Sequence, residues 1–383
     1  MAQMQIAVLG STGSIGVQTL DIISEYPELF KAHTLVAGRN VDRLIEQSIK
    51  YRPSLAIISD DRLYMRLKEA LEPYGIATAS GRKAVAEAMQ QTSVDTAVIA
   101  TVGYSGLEPT LKAIESDKRI ALANKETLVV AGELVNRKLA QSQSRIVPVD
   151  SEHSAIYQCL VGEQPQSVRR LIITASGGPF RTKGIDELKT VTVNDALSHP
   201  NWDMGAKITI DSATMINKAF EIIEARWLFD ISPEKIKAVV HPQSIVHSMV
   251  EFIDGSVKAQ LGLPDMHLPI RYALGDATRL ATTRPGLSLA DYSRLEFFEP
   301  DVEKFPMINL SYHALERGGN VACVINAANE IAVAAFLAGR ISFLDIRRVV
   351  EKSLEKMPYI PSPAYDDYVN TNFETRQYAE SII

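Results

Sequence analysis

The sequence predicts an α/β protein with an N-terminal Rossmann-like domain, a central α/β catalytic domain and a C-terminal α-helical bundle. Three observations predict this fold. A glycine-rich turn at residues 10–16 separates a short apolar run from a helical pattern, and strand and helix patterns then alternate up to residue 149. Only helical patterns follow residue 307. We place the domains at 1–149, 150–275 and 302–383, with a linker at 276–301.

Composition and charge exclude several classes of protein. The 383 residues are 46% hydrophobic and 22% charged, as is usual for a globular protein with room for large cores. A net charge of -6 without a long basic run argues against nucleic acid or an acidic membrane surface as partner. Cys159 and Cys323 lie far apart in helical patterns, so we expect reduced core cysteines. No apolar run is long enough to span a membrane, and the first strand leaves no room for a signal peptide, so we expect a cytoplasmic protein.

The first strand pattern, residues 5–9, runs directly into three glycines, Gly10, Gly13 and Gly16, and then into a helix. This arrangement presents backbone N–H groups to a pyrophosphate, although a glycine turn without a ligand is the alternative. The next strand, residues 33–37, ends in Gly38-Arg39-Asn40. An NAD site usually has an acidic residue at this position, whereas an arginine suits a 2′-phosphate. The sequence therefore favours NADP, with a surface arginine as the alternative.

Further strand and helix patterns follow, and one strand at residues 119–123 ends in Asn124-Lys125-Glu126. Ligands of parallel sheets bind beyond the carboxyl ends of the strands, so these side chains are site candidates. Charge decoration of a helix N-terminus is the alternative interpretation.

A later strand pattern, residues 145–149, ends in Asp150-Ser151-Glu152. In an extended segment residues i and i+2 point the same way, so the two carboxylates would converge and require a proton or a metal ion between them. The alternative is a helix start with Ser151 as its N-cap.

The central region carries polar side chains suited to an anion. Ser176 and two glycines follow a strand at 168–174, which either wraps an anion or makes a turn. The loop at 198–206 holds His199, Trp202 and Met204 and either packs locally or closes over a ligand.

A predicted strand, Lys207–Ile210, then leads into a predicted helix at 211–225. On that helix Asn217, Lys218 and Glu221 share one face, and Ser212 lies near its start. Hydroxyl, amide and ammonium groups suit a phosphate, and Glu221 would be a third carboxylate for a metal. A plain helix salt bridge is the alternative.

The C-terminal third begins with strand patterns at 235–240, 244–252 and 256–262, the last two joined by the hairpin signal Asp254-Gly255. We expect these strands to extend the central sheet. Helical patterns at 310–316, 322–337, 342–357 and 374–382 follow, with a capping box at Ser342 and Asp345.

Six motifs in this order resemble the 1-deoxy-D-xylulose 5-phosphate reductoisomerase family over essentially the whole chain. They are Gly10-Ser-Thr-Gly-Ser-Ile-Gly16, Asn124-Lys-Glu126, Val149-Asp-Ser-Glu-His153, His199-Pro-Asn-Trp202, Asp211-Ser-Ala-Thr-Met-Ile-Asn-Lys218 and Asn326-Ala-Ala-Asn-Glu330. The resemblance implies a homodimeric enzyme of the non-mevalonate isoprenoid pathway that forms 2-C-methyl-D-erythritol 4-phosphate. The carbon skeleton would rearrange by a ketol shift or by retro-aldol and aldol steps, and NADPH would then reduce the product. A divalent cation, Mg²⁺ or Mn²⁺ with Co²⁺ as a further candidate, would be required.

The resemblance also implies roles for individual residues. The catalytic residues would be Lys125, Asp150, Glu152 and Glu221, and the last three would hold the metal. The substrate would contact Lys125, Ser151, Glu152, Ser176, His199, Ser212, Asn217, Lys218 and Glu221, with Trp202 and Met204 in a closing flap. NADPH would contact Thr12, Gly13, Ser14, Ile15, Gly38, Arg39, Asn40, Asn124, Glu126 and Gly205. Asn326 and Asn329 are expected to be buried structural amides.

Two other functions compete with this one. A metal-independent NADP-linked oxidoreductase of aldehydes or hydroxy acids would share the first domain, and its activity would survive EDTA. A non-catalytic redox sensor would bind NADPH without turning over a sugar phosphate. Both leave the three carboxylates and the serine, asparagine and lysine side chains of residues 211–221 unexplained.

Overall fold

The computed structural model describes residues 3–202 and 204–383, which form two compact units. The first unit comprises the described residues up to Thr127 together with Val135–Ser154 and Met266–Thr282. The second comprises Leu128–Leu134, Ala155–Asp265 and Thr283–Ile383. Met1, Ala2 and Asp203, the last within the predicted loop at 198–206, lie outside the described residues. The domain boundaries proposed from the sequence stay predictions.

A parallel sheet of seven strands forms the centre of the first unit. Its strands are β1 (Met4–Leu9), β2 (Phe30–Ala37), β3 (Leu55–Ile58), β4 (Ala77–Ser80), β5 (Thr96–Ile99), β6 (Arg119–Leu122) and β7 (Arg145–Pro148). The strand order is β4-β3-β2-β1-β5-β6-β7, and all neighbouring strands are parallel. The chain builds the sheet outward from β1 first on one side and then, from β5 on, on the other. The last four residues of β1 are fully buried, as expected of a strand covered by helices on both faces. The predicted Rossmann-like fold is confirmed, and the strand-order reversal marks the expected ligand position.

Helices follow most of these strands. They are α1 (Ser14–Glu25), α2 (Val41–Tyr51), α3 (Tyr64–Leu71), α4 (Gly81–Ala88), α5 (Leu107–Glu115) and α6 (Glu126–Leu139). A later helix, α11 (His267–Leu274), returns to the first unit and packs beside α1. Arg271 on α11 lies 3.3 Å from the carboxylate of Glu25 at the end of α1. The chain segment around α11 is therefore part of the first unit, although it is distant in sequence.

A mixed sheet of four strands belongs to the second unit. Its strands are β8 (Val168–Ala175), β9 (Ile236–Val240), β10 (Val246–Phe252) and β11 (Val257–Leu261), in the order β11-β10-β8-β9. β10 and β11 form the predicted antiparallel hairpin, whose turn places Gly255 at a φ of +85°. This left-handed conformation is accessible to glycine at little cost. The prediction that the three later strands extend the central sheet is confirmed.

The remaining helices are α7 (Ser151–Leu160), α8 (Val193–Leu197), α9 (Ala206–Ala213), α10 (Ile216–Phe229), α12 (Leu310–Arg317), α13 (Val321–Leu337), α14 (Phe343–Lys356) and α15 (Tyr365–Ser381). α13 is buried on most sides between α14 and α15, which confirms the helical C-terminal region. The predicted capping box is present, since Asp345 accepts hydrogen bonds from the N–H and the hydroxyl of Ser342. The last helix begins at Tyr365, nine residues before the predicted start, because its polar sequence gives little periodic signal.

The predicted strand at Lys207–Ile210 is wrong, because this segment forms the first half of α9. The carbonyl of Gly205 accepts the N–H of Thr209 at 3.1 Å and so starts the helix. The ammonium of Lys207 lies 2.9 Å from the carboxylate of Asp211 one turn later. β-branched residues lower helix stability by less than about 1 kcal/mol each. Burial of Ile210 and the ion pair between Lys207 and Asp211 outweigh the preference of these residues for a strand. Within the described residues no helix has both the length and the apolar character needed to cross a membrane.

Candidate active site

The glycine turn of the first unit is compact enough to require glycine at two positions. Gly10 has a φ of +82°, and a Cβ there would lie 2.4 Å from the carbonyl oxygen of Ala100. A Cβ on Gly16 would lie 2.2 Å from the carbonyl oxygen of Gly10. Gly13 caps α1 without a side-chain hydrogen bond, and no acidic residue occupies the first turn. The Gly13 N–H donates to the carbonyl oxygen of Gly10 at 3.0 Å, whereas the helix dipole and the N–H groups of Ser14 and Ile15 suit an anion.

The end of β2 is tied to this turn. The side chain of Asn40 accepts the N–H of Arg43 at 3.2 Å and caps α2. The Arg43 guanidinium in turn donates to the carbonyl oxygen of Thr12 at 3.3 Å. The Arg39 side chain is 85% exposed, and its Nε lies 3.8 Å from the carboxylate of Asp60. Gly38–Asn40 and the glycine turn thus lie at the carboxyl ends of the neighbouring strands β2 and β1.

Asn124 follows β6, and its side chain is hydrogen-bonded to the segment that follows β5. Its amide nitrogen donates to the carbonyl oxygens of Thr101 and Gly103, both at 2.8 Å, and lies 3.1 Å from the carboxylate of Glu126. Its amide oxygen accepts both the N–H and the hydroxyl of Thr127. With the whole amide engaged inside the protein, Asn124 fixes the turn that carries Lys125 and Glu126.

Asp150 and Glu152 lie together, but not for the reason inferred from the sequence. The segment is not extended, because α7 begins at Ser151. The carbonyl of Asp150 accepts the N–H of Ser154 at 2.8 Å, so Asp150 and not Ser151 occupies the cap position. A carboxylate oxygen of Asp150 and one of Glu152 still lie within 4.8 Å of each other. The Ser151 hydroxyl donates to Glu152 at 2.6 Å.

Two basic side chains hold Asp150 in its ionised form. The Lys125 ammonium lies 2.7 Å from one carboxylate oxygen, and Nδ1 of the buried His153 lies 3.2 Å from the other. Burial alone would raise the pKa of Asp150, but Lys125 and then His153 outweigh it and lower that pKa well below its usual range. His153 was not singled out from the sequence, although its i,i+3 spacing from Asp150 placed it on the same side of the helix start.

In the second unit, Ser176 and Ser212 lie in adjoining segments. Gly178 has a φ of +66°, and a Cβ there would lie 2.7 Å from the carbonyl oxygen of Ser212. The turn after β8 therefore packs against the end of α9, and the Gly178 N–H donates to the Ser176 hydroxyl at 3.2 Å. Ser212 lies on α9 and not, as predicted, on the helix that carries Asn217.

The hydrogen bonds of His199 determine its tautomer. Nδ1 accepts the backbone N–H groups of Asn201 at 3.2 Å and Trp202 at 3.0 Å, so the ring proton must be on Nε2. Nε2 lies 2.9 Å from the Ser176 hydroxyl and donates to it. Burial lowers the pKa of His199, in agreement with a neutral ring. Because Ser176 accepts two hydrogen bonds, its own proton is directed to another acceptor, as a phosphate oxygen would be.

α10 carries the predicted polar group in a buried setting. The Asn217 amide donates to one oxygen of Glu221 at 2.5 Å, and the Lys218 ammonium is paired with the other. Lys218 and Glu221 are 3% and 1% exposed. The left-handed Met215, with a φ of +64°, separates α9 from α10 and redirects the chain before these residues. The prediction that Asn217, Lys218 and Glu221 share one side is confirmed.

A buried network supports α9 from the C-terminal region. Asp211 is 2% exposed, and its two carboxylate oxygens accept Asn329 at 2.8 Å and Lys207 at 2.9 Å. Asn326 and Asn329 are fully buried, as expected of structural amides. Asp211 and Lys207 were not singled out as functional from the sequence, because their partner Asn329 lies more than 100 residues away in the chain.

Each unit therefore assembles its own cluster of candidate site residues. The first unit brings together Lys125, Asp150 and Glu152, and the second brings together Ser176 with His199 and Asn217 with Glu221. Carboxylate oxygens suit a hard divalent cation, whereas hydroxyl and ammonium donors suit a phosphate. The predicted cofactor contact Gly205 is the exposed N-cap of α9, and the predicted flap residues Met204 and Trp202 are half-buried beside it.

Comparison with known families gives one consistent result. Residues 6–132 match the model described as 1-deoxy-D-xylulose 5-phosphate reductoisomerase. Residues 146–229 match the model of the C-terminal domain of the same enzyme, and residues 261–378 match the model described as DXP reductoisomerase C-terminal domain.

Individual relatives extend over the full chain. A 1-deoxy-D-xylulose 5-phosphate reductoisomerase of Bacteroides thetaiotaomicron is 52% identical over 379 residues, covering 99% of this chain and 97% of the relative. One of Porphyromonas gingivalis is 51% identical, covering 99% and 98%. The solved Zymomonas mobilis enzyme in complex with NADPH is 43% identical, with a TM-score of 0.93 and coverage of 100% and 99%. A DOX-P reductoisomerase in complex with NADPH, fosmidomycin and magnesium is 38% identical, with a TM-score of 0.94 and coverage of 99% and 98%.

Proposed function

The chain belongs to the 1-deoxy-D-xylulose 5-phosphate reductoisomerase family, and we propose that the residues of the candidate active site carry out this family's reaction. The protein is an NADP-dependent oxidoreductase that uses NADPH and Mg²⁺. It rearranges and reduces 1-deoxy-D-xylulose 5-phosphate to 2-C-methyl-D-erythritol 4-phosphate in non-mevalonate isoprenoid biosynthesis. The observation that carries the residue assignment is the pair of carboxylates, Asp150 and Glu152, held beside Lys125.

Asp150, Glu152 and Glu221 are the proposed metal ligands. The donor set fits Mg²⁺, and also Mn²⁺ or Co²⁺, since all three side chains offer carboxylate oxygens and Asp150 is kept ionised. When bound, the cation acts as a Lewis acid on the substrate oxygens, and NADPH supplies the hydride. Lys125, 2.7 Å from Asp150, stabilises negative charge that develops on the substrate oxygens nearby.

The second unit supplies the proposed phosphate grip. Ser176 directs its hydroxyl proton outward because its oxygen already accepts two hydrogen bonds. Ser212, packed against the same turn, adds a hydroxyl, and Asn217 and Lys218 add an amide and an ammonium. Charge-assisted hydrogen bonds of this kind are strong and geometrically specific. The remaining proposed contacts are Ser151 at the substrate hydroxyls, His199 through Ser176, and Trp202 and Met204 in a flap that excludes water.

The first unit supplies most of the proposed NADPH contacts. Thr12, Gly13, Ser14 and Ile15 form the helix N-terminus for the pyrophosphate. The other proposed contacts are Gly38, Arg39 and Asn40 at the 2′-phosphate, and Glu126 and Gly205 toward the nicotinamide. Asn124 would act there through the turn that its buried amide holds in place. The exposed Arg39 guanidinium can reach a phosphate without first losing buried contacts.

We further propose a cytoplasmic homodimer with domains at 1–149, 150–275 and 302–383 joined by a linker at 276–301. Light scattering after size exclusion should then give twice the chain mass of 42.2 kDa.

An NADPH-oxidation assay with 1-deoxy-D-xylulose 5-phosphate tests the proposal. We expect turnover with Mn²⁺ or Mg²⁺ and none after EDTA treatment. Oxidation that survives EDTA would favour the metal-independent oxidoreductase. NADPH binding without any metal-dependent turnover would favour the redox sensor.

A further inference from the structure

An acidic residue lies directly beside the proposed 2′-phosphate site. Asp60 follows β3, the neighbour of β2, and its N–H donates to the carbonyl oxygen of Gly38 at 3.2 Å. The Asp60 side chain is 14% exposed, and its carboxylate lies 3.8 Å from the guanidinium of Arg39. In NAD-binding sites an acidic residue at the end of the second strand binds the 2′-hydroxyl. Asp60 brings a carboxylate close to that position from the neighbouring strand, where it would repel a 2′-phosphate.

Arg62 donates hydrogen bonds to both oxygens of the Asp60 carboxylate. Its Nε and Nη2 donate to the two oxygens of Asp60 at 2.9 and 2.6 Å, and its backbone N–H donates at 3.2 Å. This paired geometry is the strongest available to arginine and a carboxylate. Hydrogen bonding from Arg62 lowers the pKa of Asp60 to about 2. Both arginine side chains are largely exposed, at 85% for Arg39 and 80% for Arg62, but Arg39 approaches Asp60 only to 3.8 Å.

We propose that Arg62 is a positioning residue that determines cofactor specificity: by engaging Asp60, it leaves Arg39 available to the 2′-phosphate of NADPH. Arg39, Arg62 and Asp60 together carry a net charge of +1. Without Arg62, the carboxylate would pair with Arg39 and repel the phosphate. The inference rests on the proposed assignment of Gly38–Asn40 to the cofactor.

Fluorescence titration of the full-length protein with NADPH and NADH, with 2′,5′-ADP and 5′-ADP as competitors, tests the inference without requiring turnover. For Arg62→Ala we expect NADPH and 2′,5′-ADP to bind about fivefold more weakly, which converts to about 1 kcal/mol. NADH and 5′-ADP should bind with unchanged affinity. The double variant Asp60→Asn/Arg62→Ala should recover the NADPH affinity, because the competing carboxylate is absent.

Arg66→Ala is the matched control, since Arg66 pairs with Asp42 on the same unit and its loss changes the net charge equally. This control should keep the NADPH-to-NADH ratio of the wild type. Equal weakening of NADPH and NADH by Arg62→Ala would overturn the proposal in favour of a structural role. Failure of Asp60→Asn to recover affinity would also overturn it, since Arg62 would then bind the phosphate directly. A wild-type chain that does not prefer the 2′-phosphate would instead refute the cofactor assignment.

Discussion

The substitution Glu221→Gln removes the charge of one proposed metal ligand and nearly keeps its shape. The Glu221 carboxylate is 1% exposed, accepts the Asn217 amide at 2.5 Å and pairs with the Lys218 ammonium. Glutamine has the same length but keeps only one oxygen acceptor, so its NH₂ group would face either Asn217 or Lys218. The substitution therefore removes one negative charge from the buried side of α10 with little change in packing.

The structure sets the expected magnitudes. Removing one partner of a buried ion pair costs about 3–5 kcal/mol, and the retained acceptor favours the lower end of this range. Changes to groups that merely support metal ligands weaken metal binding by about 10–100-fold, so losing a ligand charge should weaken it by at least about 100-fold. NADPH affinity should stay the same, because Glu221 is not among the proposed NADPH contacts.

Three measurements on Glu221→Gln separate these effects. Electron paramagnetic resonance of free Mn²⁺ reports metal affinity, fluorescence titration reports NADPH affinity, and steady-state NADPH oxidation reports kcat. Glu316→Gln is the control, since Glu316 is an exposed carboxylate on α12 of the same unit. Unchanged Mn²⁺ affinity, or an equal loss of NADPH affinity, would refute the role given to Glu221.

Three further predictions address other parts of the site. Gly16→Ala should weaken NADPH binding in a fluorescence titration, because a Cβ would lie 2.2 Å from the carbonyl of Gly10; unchanged affinity would contradict the compact turn. His199→Gln should keep more substrate affinity, measured as KM, than His199→Phe, since glutamine can still donate to Ser176. Burial lowers the pKa of His199, so its contribution to stability should be full above about pH 6.5 and decline as the pH falls toward the lowered value. Melting temperatures measured above and below about pH 6.5 should show this loss of stability in the wild type and a smaller loss in His199→Gln.

Local patterns were sufficient to predict the strand, turn and helix that begin the first unit, but not that the distant segment Met266–Thr282 belongs to it. The buried apolar run of β1 and the glycines at 10, 13 and 16 specify strand, turn and helix within one short segment. The hairpin at Asp254-Gly255 and the capping box at Ser342 were predicted for the same reason, because each depends on neighbours in the chain. Such features are set by backbone geometry and local hydrogen bonds.

Segments whose structure depends on distant partners were predicted less well. The run Lys207–Ile210 has the composition of a strand, yet it is helical. Asp211, which pairs with Lys207, also accepts Asn329 of α13, a contact that no local pattern reveals. Tertiary contacts of this kind override modest intrinsic preferences.

The carboxylates of Asp150 and Glu152 lie close together as predicted, but the backbone conformation from which this was predicted is wrong. The sequence argument placed them on one side of an extended segment, whereas α7 begins between them. Asp150 in the cap position and Glu152 in the first turn still bring two oxygens within 4.8 Å. The residue types and their spacing were informative, and the backbone conformation was not predictable from them.

The central claim is that Asp150, Glu152 and Glu221 together hold the divalent cation. Anomalous diffraction from crystals grown with Mn²⁺ tests it most directly. The account predicts one strong anomalous peak with an oxygen of each carboxylate in its coordination sphere, at about 2.0–2.2 Å as for a small hard cation. A peak that lacks any one of the three carboxylates, or that lies elsewhere in the molecule, would contradict the claim.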